Sequence, residues 1–134
     1  MKNDIYLFRI THKENIPHIL NFGITYHNSV NRNPKYVSIG DPSLISTRSS
    51  FRLNSGRLLG EYIPFYFGYC MPMLYVIQNG FNDVKAIHPE EIIYCVLTVE
   101  LIQKLNLNFI FTNGHALNYG ISENIIKIKR NYYF

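Results

Sequence analysis

The stretch Leu58–Gly80, LLGEYIPFYFGYCMPMLYVIQNG, decides more about the fold than any other part of this sequence. It concentrates aromatic residues and contains two prolines, Pro64 and Pro72. Each proline removes a backbone donor and biases the preceding residue toward extended geometry, so the stretch cannot be one continuous helix or central strand. We therefore predict an extended, kinked run beneath a core, then a strand at Met73–Gln78 and a turn at Gly80.

Length and composition predict a single domain over residues 1–134. A chain of 134 residues buries a real core but leaves no room for a second one. The apolar runs are too short to span a bilayer, and the first residues lack a secretory signal, so we expect no membrane association and a cytoplasmic protein. Cys70 and Cys95 form no CxxC pair and are interpreted as reduced thiols. The histidines lie in different segments, and we expect no metal site.

The net charge of +4 is compatible with a polyanionic partner. Basic residues are concentrated between Arg32 and Arg57, where Asp41 is the only acid. Clustered lysine and arginine side chains favour phosphate binding, but a solvated loop face has the same composition. Charge alone leaves both interpretations open.

The order of local patterns predicts a compact α+β domain with short elements. Period-two runs predict strands, and apolar residues three and four apart predict helices. The predicted elements are a strand at Ile5–Thr11, a helix starting near Thr11 or Asn15 and ending at Gly23, a loop at 26–37, a helix capped at residues 40–43 and running through Arg48, a strand at Ile92–Val99, a helical turn at Glu100–Leu105, a strand at Asn108–Phe111, a loop at Thr112–Gly120 and a strand at Ile125–Arg130.

Four blocks in order within residues 5–116 carry a family resemblance. They are LFRITHKENIPHILNFGI from residue 7, YVSIGDPSLISTR from residue 36, GEYIPFYFGYCMPMLYVIQNG from residue 60 and LNFIFTNGHA from residue 107. This pattern resembles the DarT family, bacterial toxins of toxin–antitoxin systems that transfer ADP-ribose from NAD to bases of single-stranded DNA. The resemblance implies a small ADP-ribosyltransferase-like split sheet flanked by short helices. Residues 5–116 would form the NAD-binding part, and residues 125–134 resemble the terminal strand of the family.

The resemblance also implies a set of site residues, with NAD as a substrate and no metal. Arg48 occupies the position of a functional arginine, and a guanidinium offers phosphate the bidentate hydrogen bonds that lysine cannot. The implied residues are Arg48 as catalytic residue and NAD contact, Arg9, Ile10, Thr11, His18 and Tyr26 as further NAD contacts, and His115 as a contact to the DNA substrate.

Two other features are predicted to be structural. His12 stands where a strand meets a helix, a position at which histidine often caps a backbone group. The aromatic rings at residues 62–67 suggest a base-stacking platform. However, the alternation bounded by prolines favours core packing, with one ring exposed.

The catalytic glutamate segment of the family has no counterpart in this sequence. No Q-A-E motif is present, and the basic run ENIIKIKRNYYF follows a few residues after His115. The first interpretation is therefore a DarT-like enzyme acting on single-stranded DNA that is catalytically impaired, with a macrodomain-type antitoxin as partner. The alternatives are a non-catalytic module that binds a nucleotide or DNA, and a remnant that binds only the antitoxin.

Overall fold

The computed structural model describes residues 4–81 and 83–111. Within these ranges the chain mixes short strands, α-helices and 3₁₀ turns, which confirms the predicted α+β class. The strands and helices are β1 (Tyr6–His12), α1 (Ile16–Phe22), α2 (Pro42–Ser50), α3 (Pro72–Asn79), β2 (Ile92–Thr98) and α4 (Val99–Lys104), and the 3₁₀ turns are Lys13–Asn15, Leu59–Glu61 and Pro89–Glu91. No helix in these ranges is long and apolar enough to cross a membrane.

The sheet places β1 between two neighbours. On one side β1 pairs antiparallel with β2, with Arg9 opposite Cys95. On the other side Phe8 and Tyr66 exchange both backbone hydrogen bonds, each 2.8 Å long. The extended run predicted for the aromatic stretch is therefore attached to the sheet at Tyr66.

Alternation along β1 separates the core from the candidate site. Successive side chains of a strand point to opposite faces. Ile10 points into the core, whose buried members also include Ile39, Met71, Ile77 and Val84. Arg9 and Thr11 flank Ile10 in the sequence, so they point to the opposite face of β1.

Helices α1 and α2 begin and end close to the predicted positions. The Asp41 carboxylate accepts a hydrogen bond of 2.9 Å from the Ser43 N–H and caps α2, and Pro42 lies in the first turn. Hydrogen bonding from Ser43 lowers the pKa of Asp41. Helix α1 ends at Gly23, whose φ of 78° is in the region that favours glycine. Asn15 precedes α1 but makes no side-chain cap bond.

The predicted strand at Met73–Gln78 is wrong, because these residues lie in α3. Pro72 occupies the first turn of the helix, where its missing N–H has no intrahelical partner to lose. Gly80 ends the helix with a φ of 69°. Ile77 is fully buried, and its helical neighbours pack around the same core, namely Met73, Leu74 and Val76. The helical period of these apolar residues outweighs the bias that the prolines impose.

Three other predicted elements agree with the structure to within one residue, namely Ile5–Thr11, Ile92–Val99 and Glu100–Leu105. The predicted strand at Asn108–Phe111 is wrong for the described residues. A strand needs a neighbour for its backbone hydrogen bonds, and the sheet in the described ranges contains only β1 and β2. The predictions for Thr112–Gly120 and Ile125–Arg130 fall outside the described residues.

The aromatic rings at residues 62–67 are packed as predicted. Tyr62, Phe65 and Tyr66 are half-buried, which agrees with core packing. Phe67 is the one exposed ring among them, and Tyr69, which follows them, is also more than half exposed. The exposed rings therefore lie between the half-buried residues 62–66 and the core residues of α3.

Candidate functional site

An open pocket lies beside the second half of β1. Three of the predicted NAD contacts line it together, namely Arg9, Thr11 and His18. The other lining residues are Asn15, Ile19, Gly23, Ile24, Thr25, Asn33 and Tyr36. Strand β1, helix α1 and the loop after α1 therefore form the walls of one cavity.

His18 reaches the pocket from α1 and is held by a neighbour on the same helix. Its ring stacks on that of Phe22, four residues later, with 4.7 Å between the centroids. Side chains at this spacing lie on one face of a helix. The stack fixes the orientation of the imidazole at the wall of the pocket.

Arg48 and Arg9 are both held by backbone carbonyl groups. Arg48 lies in the last turn of α2, and its Nη2 donates to the carbonyl oxygens of Leu59 at 3.4 Å and Tyr62 at 3.3 Å. Arg9 Nη1 donates to the carbonyl oxygen of Pro64 at 3.2 Å. One short piece of chain thus orients two guanidinium groups from different elements.

We call residues 59–64 the carbonyl segment. Its oxygens are neutral, so they orient the guanidinium groups without compensating their charge. Burial lowers the pKa of Arg48, interaction with Tyr66 raises it, and the positive charge of Arg9 lowers it. In the described ranges neither arginine has a carboxylate within 4.0 Å. Two neighbouring cations, one of them partly desolvated, mark a site that an anion would complete.

Three acids of the described ranges have partners other than the two arginines. Glu91 contacts His12 and Lys13, Glu61 accepts from the Leu58 N–H, and Asp41 caps α2. Within residues 4–81 and 83–111, no acid lines the pocket. The described part of the site is therefore cationic and polar, without a carboxylate.

His12 has the capping role predicted from the sequence. Its Nδ1 accepts a hydrogen bond from the Glu14 N–H at 3.2 Å, and its Nε2 lies 3.5 Å from Glu91 Oε2. The ring is buried and does not line the pocket. Its Nδ1 serves the junction between β1 and α1, and its Nε2 faces the turn that precedes β2.

Three of the predicted residues, Ile10, Tyr26 and Arg48, are not among the described residues that line the pocket. The side chain of Ile10 is in the core, and its backbone pairs with Tyr94. Tyr26 is 39% exposed and follows Thr25, which does line the pocket. His115 lies outside the described residues.

Sequence reasoning missed Asn15, Asn33 and Tyr36 as pocket residues. Asn15 is a candidate start of α1 on sequence alone, because asparagine before an apolar helical run is a common cap. Nothing in that local pattern distinguishes a cap from a buried amide that binds a distant loop. Asn33 and Tyr36 come from a polar loop without periodicity, so only the fold reveals their position.

The described residues contain no group of three or more histidine, cysteine or acidic side chains that could hold a metal. Cys95 is the titratable residue opposite Arg9 on the sheet. Burial raises the pKa of its thiol, and the positive charge of Arg9 lowers it. The chemistry available at the site is therefore that of guanidinium, hydroxyl, amide and imidazole groups.

Comparison with known proteins identifies the family. Residues 8–131 match the family model described as ssDNA thymidine ADP-ribosyltransferase, DarT. Because this match spans most of the sequence, the chain belongs to the DarT family. A DNA ADP-ribosyl transferase of Escherichia coli O127:H6 (strain E2348/69 / EPEC) is 35% identical to it over 112 residues, which is 82% of this chain and 51% of the relative.

Two solved structures of Thermus sp. 2.9 DarT share the fold. The complex with ADP-ribosylated ssDNA has a TM-score of 0.78 and 29% identity, over 91% of this chain and 60% of that one. The complex with NAD⁺ has a TM-score of 0.71 and 29% identity, over 90% of this chain and 57% of that one. The chain thus spans about half the length of the E. coli relative and less than two thirds of the Thermus protein.

Proposed function

We propose that this chain binds NAD through the pocket and the two guanidinium groups, as the NAD-handling part of an ADP-ribosyltransferase that acts on bases of single-stranded DNA. The observation that carries the proposal is the arginine pair, Arg9 and Arg48, which has no carboxylate partner in the described ranges. The pyrophosphate of NAD supplies the missing negative charge. The NAD⁺ complex of the Thermus protein supports this choice of ligand.

Each side chain has a distinct task in this proposal. Arg48 donates to the pyrophosphate and is the residue that acts at the reaction, while Arg9 adds a second positive charge. Thr11 and His18 contact the nucleotide from the pocket wall. Tyr26 stays a predicted contact beside the pocket, and Ile10 would contribute through its backbone.

The reaction breaks the bond between nicotinamide and ribose through a centre with oxocarbenium character. A fixed carboxylate would stabilise that centre, and a well-placed base of the DNA would attack it. Arg48 is positively charged, so it cannot stabilise this positively charged centre in place of a carboxylate. We therefore propose that the chain is catalytically impaired, since no sequence motif for the family glutamate is present.

The proposed acceptor is single-stranded DNA, and the family description specifies thymidine. The complex of the Thermus protein with ADP-ribosylated ssDNA supports this acceptor. His115 is proposed to contact the DNA. We further propose a place in a toxin–antitoxin system of the cytoplasm, with a macrodomain-type antitoxin as partner, on the basis of the family resemblance.

The second candidate function is a non-catalytic module that binds the nucleotide or DNA, or a remnant that binds the antitoxin. The observation that favours it is that the pocket lining contains no acid among the described residues. Both candidates share the binding of NAD or of another nucleotide, and they differ in turnover. An assay of product formation therefore separates them.

Calorimetry with NAD tests the binding proposal on the wild type, Arg48→Ala and Arg48→Lys. Removal of hydrogen bonds to a charged ligand costs about 1.5–3 kcal/mol, so we expect Arg48→Ala to weaken binding at least about tenfold. The NAD affinity of Arg48→Lys should lie between those of the wild type and Arg48→Ala, because lysine keeps the charge and loses the bidentate geometry. Arg52→Ala is the matched control, since Arg52 is exposed and donates to Gly56 in a loop. Equal binding by the wild type and Arg48→Ala, or no binding by the wild type at millimolar NAD, rejects the proposal.

A further inference from the structure

Asn15 is a buried polar residue between the second half of β1 and the loop after α1. Only 1% of its surface is exposed. Its Nδ2 donates to the Val37 carbonyl oxygen at 2.8 Å and to Thr11 Oγ1 at 3.0 Å, and its Oδ1 accepts from the Val37 N–H at 2.8 Å. The amide therefore joins β1 to a loop that lies 22 residues further along the chain.

The backbone of Val37 fixes which way the amide of Asn15 points. Val37 presents one N–H and one carbonyl oxygen, so the amide oxygen must face the N–H and the amide nitrogen must face the oxygen. The second proton on Nδ2 is then directed at Thr11 Oγ1. In this arrangement the Thr11 hydroxyl acts as the acceptor.

A hydroxyl that accepts from Asn15 still has its own proton to donate. In the described ranges no hydrogen bond donated by Thr11 Oγ1 is found, and Thr11 lines the pocket. The loop bound by Asn15 also supplies Asn33 and Tyr36 to the pocket wall. The buried amide of Asn15 thus contacts both the Thr11 hydroxyl and the loop that forms a wall of the same pocket.

We infer that Asn15 is a positioning residue for the nucleotide site. It orients the Thr11 hydroxyl to donate to an acceptor atom of the bound nucleotide, and it holds the pocket wall in place through Val37. This inference rests on the proposed function, since the nucleotide is NAD. The nucleotide atom that accepts the hydrogen bond from Thr11 is a ring nitrogen, a carbonyl oxygen or a phosphate oxygen.

The test uses Asn15→Asp, Thr11→Val, the double variant and Thr11→Ser, each titrated with NAD by calorimetry. An ionised aspartate has no proton to donate to Thr11. The Thr11 hydroxyl would instead donate its own proton to the aspartate and could no longer donate to the ligand. We expect Thr11→Val to raise Kd about tenfold, which corresponds to one lost hydrogen bond of about 1.4 kcal/mol. Asn15→Asp should raise Kd at least as much, because it also loses the hydrogen bond to the Val37 carbonyl. Since the Thr11 donor can be lost only once, the double variant should lose less than the sum of the two single losses. Thr11→Ser keeps the hydroxyl and should bind like the wild type.

Asn21→Asp is the matched control, because Asn21 lies in α1 and its exposed amide donates to the Pro17 carbonyl at 2.9 Å. Thermal unfolding identifies a temperature at which every variant is folded. If Asn15→Asp does not fold, the pair Thr11→Val and Thr11→Ser still tests the donor, and equal NAD binding by these two overturns the inference.

Two further outcomes also overturn the inference. The first is an Asn15→Asp variant that binds NAD like the wild type, and the second is a double variant whose loss is the sum of the single losses. If instead the wild type does not bind NAD, or Arg48→Ala binds equally well, the proposed function fails and the inference fails with it. Binding that depends on Arg48 but not on Asn15 rejects the inference alone.

Discussion

Arg48 shows how the surroundings of a residue, more than its type, indicate a role. It lies in the last turn of α2, where a basic side chain is common because it complements the helix dipole. Its guanidinium is instead half-buried and bound to the carbonyls of Leu59 and Tyr62. Arg9 contributes a second positive charge nearby. Such an arrangement is unfavourable by itself and becomes favourable when an anion binds.

Replacement of Arg9 by glutamine separates charge from hydrogen bonding. Glutamine keeps an N–H donor for the Pro64 carbonyl and removes the positive charge. We expect NAD affinity to fall about tenfold, because one charge-assisted contact is lost. The melting temperature without NAD should stay the same or rise slightly, since Arg48 loses a like-charged neighbour.

Calorimetry and thermal unfolding with and without NAD measure both effects of Arg9→Gln. Arg32→Gln is the control, since it removes one charge from an exposed loop position. A variant at Arg9 that binds NAD with wild-type affinity would show that this charge plays no part in the site.

At the scale of elements, the site depends on contact between α2 and the carbonyl segment. Gly60 makes this contact possible, because a Cβ at that position would lie 2.8 Å from the Cα of Ser49 in α2. The carbonyl segment can therefore approach the helix closely enough for Arg48 to reach it. Here glycine is required by close packing and not by its backbone angles.

The variant Gly60→Ala should push the carbonyl segment away from α2. Insertion of a methyl group into a closely packed contact costs about 1–3 kcal/mol, which lowers the melting temperature. We also expect weaker NAD binding, because the carbonyls that orient Arg48 move. Gly68→Ala is the matched control in the same aromatic stretch, since a methyl group at residue 68 would meet no atom within 4 Å beyond its chain neighbours. Equal melting temperatures for the two variants would contradict this packing argument.

Local sequence signals predict an element correctly where they agree with the packing. The turn at Asp41 and Pro42 and the glycine at residue 23 set the ends of α2 and α1, and both helices are confirmed. The predicted strand Met73–Gln78 is wrong because proline argues against a helix only in the helix interior. Pro72 is compatible with a helix, since it occupies the first turn.

Site residues could be predicted from the sequence only where they fall in motifs that resemble a known family. Arg9, Thr11 and His18 line one pocket, and their contact with NAD stays a prediction. Asn15 could not be found, because its function depends on Val37, which is distant in the sequence. Pairings of this kind are set by the tertiary fold and leave no local pattern.

At the scale of the whole molecule, the basic stretch has two parts with different surroundings. Arg48 is half-buried at the candidate site. The other basic residues of the stretch are exposed, namely Arg32, Lys35, Arg52 and Arg57. Phosphate binding at the candidate site is therefore the interpretation for Arg48, and a solvated loop face is the interpretation for the exposed residues. Binding of DNA phosphates by the exposed group stays a prediction, and it would weaken as salt increases.

The last prediction concerns turnover by the whole chain. We expect little or no ADP-ribosylation of single-stranded DNA, because binding of NAD without stabilisation of the transition state does not raise the chemical rate. Loss of one electrostatic stabiliser commonly costs about 10²–10³ in rate. Labelled NAD and mixed-sequence oligonucleotides measure the activity, with the E. coli relative as the positive control. Glu123, outside the described residues, is the late acid that could substitute for the family glutamate. Strong labelling that Glu123→Gln abolishes would contradict the prediction and identify a rebuilt site, whereas labelling that survives this change would mean that the carboxylate lies elsewhere.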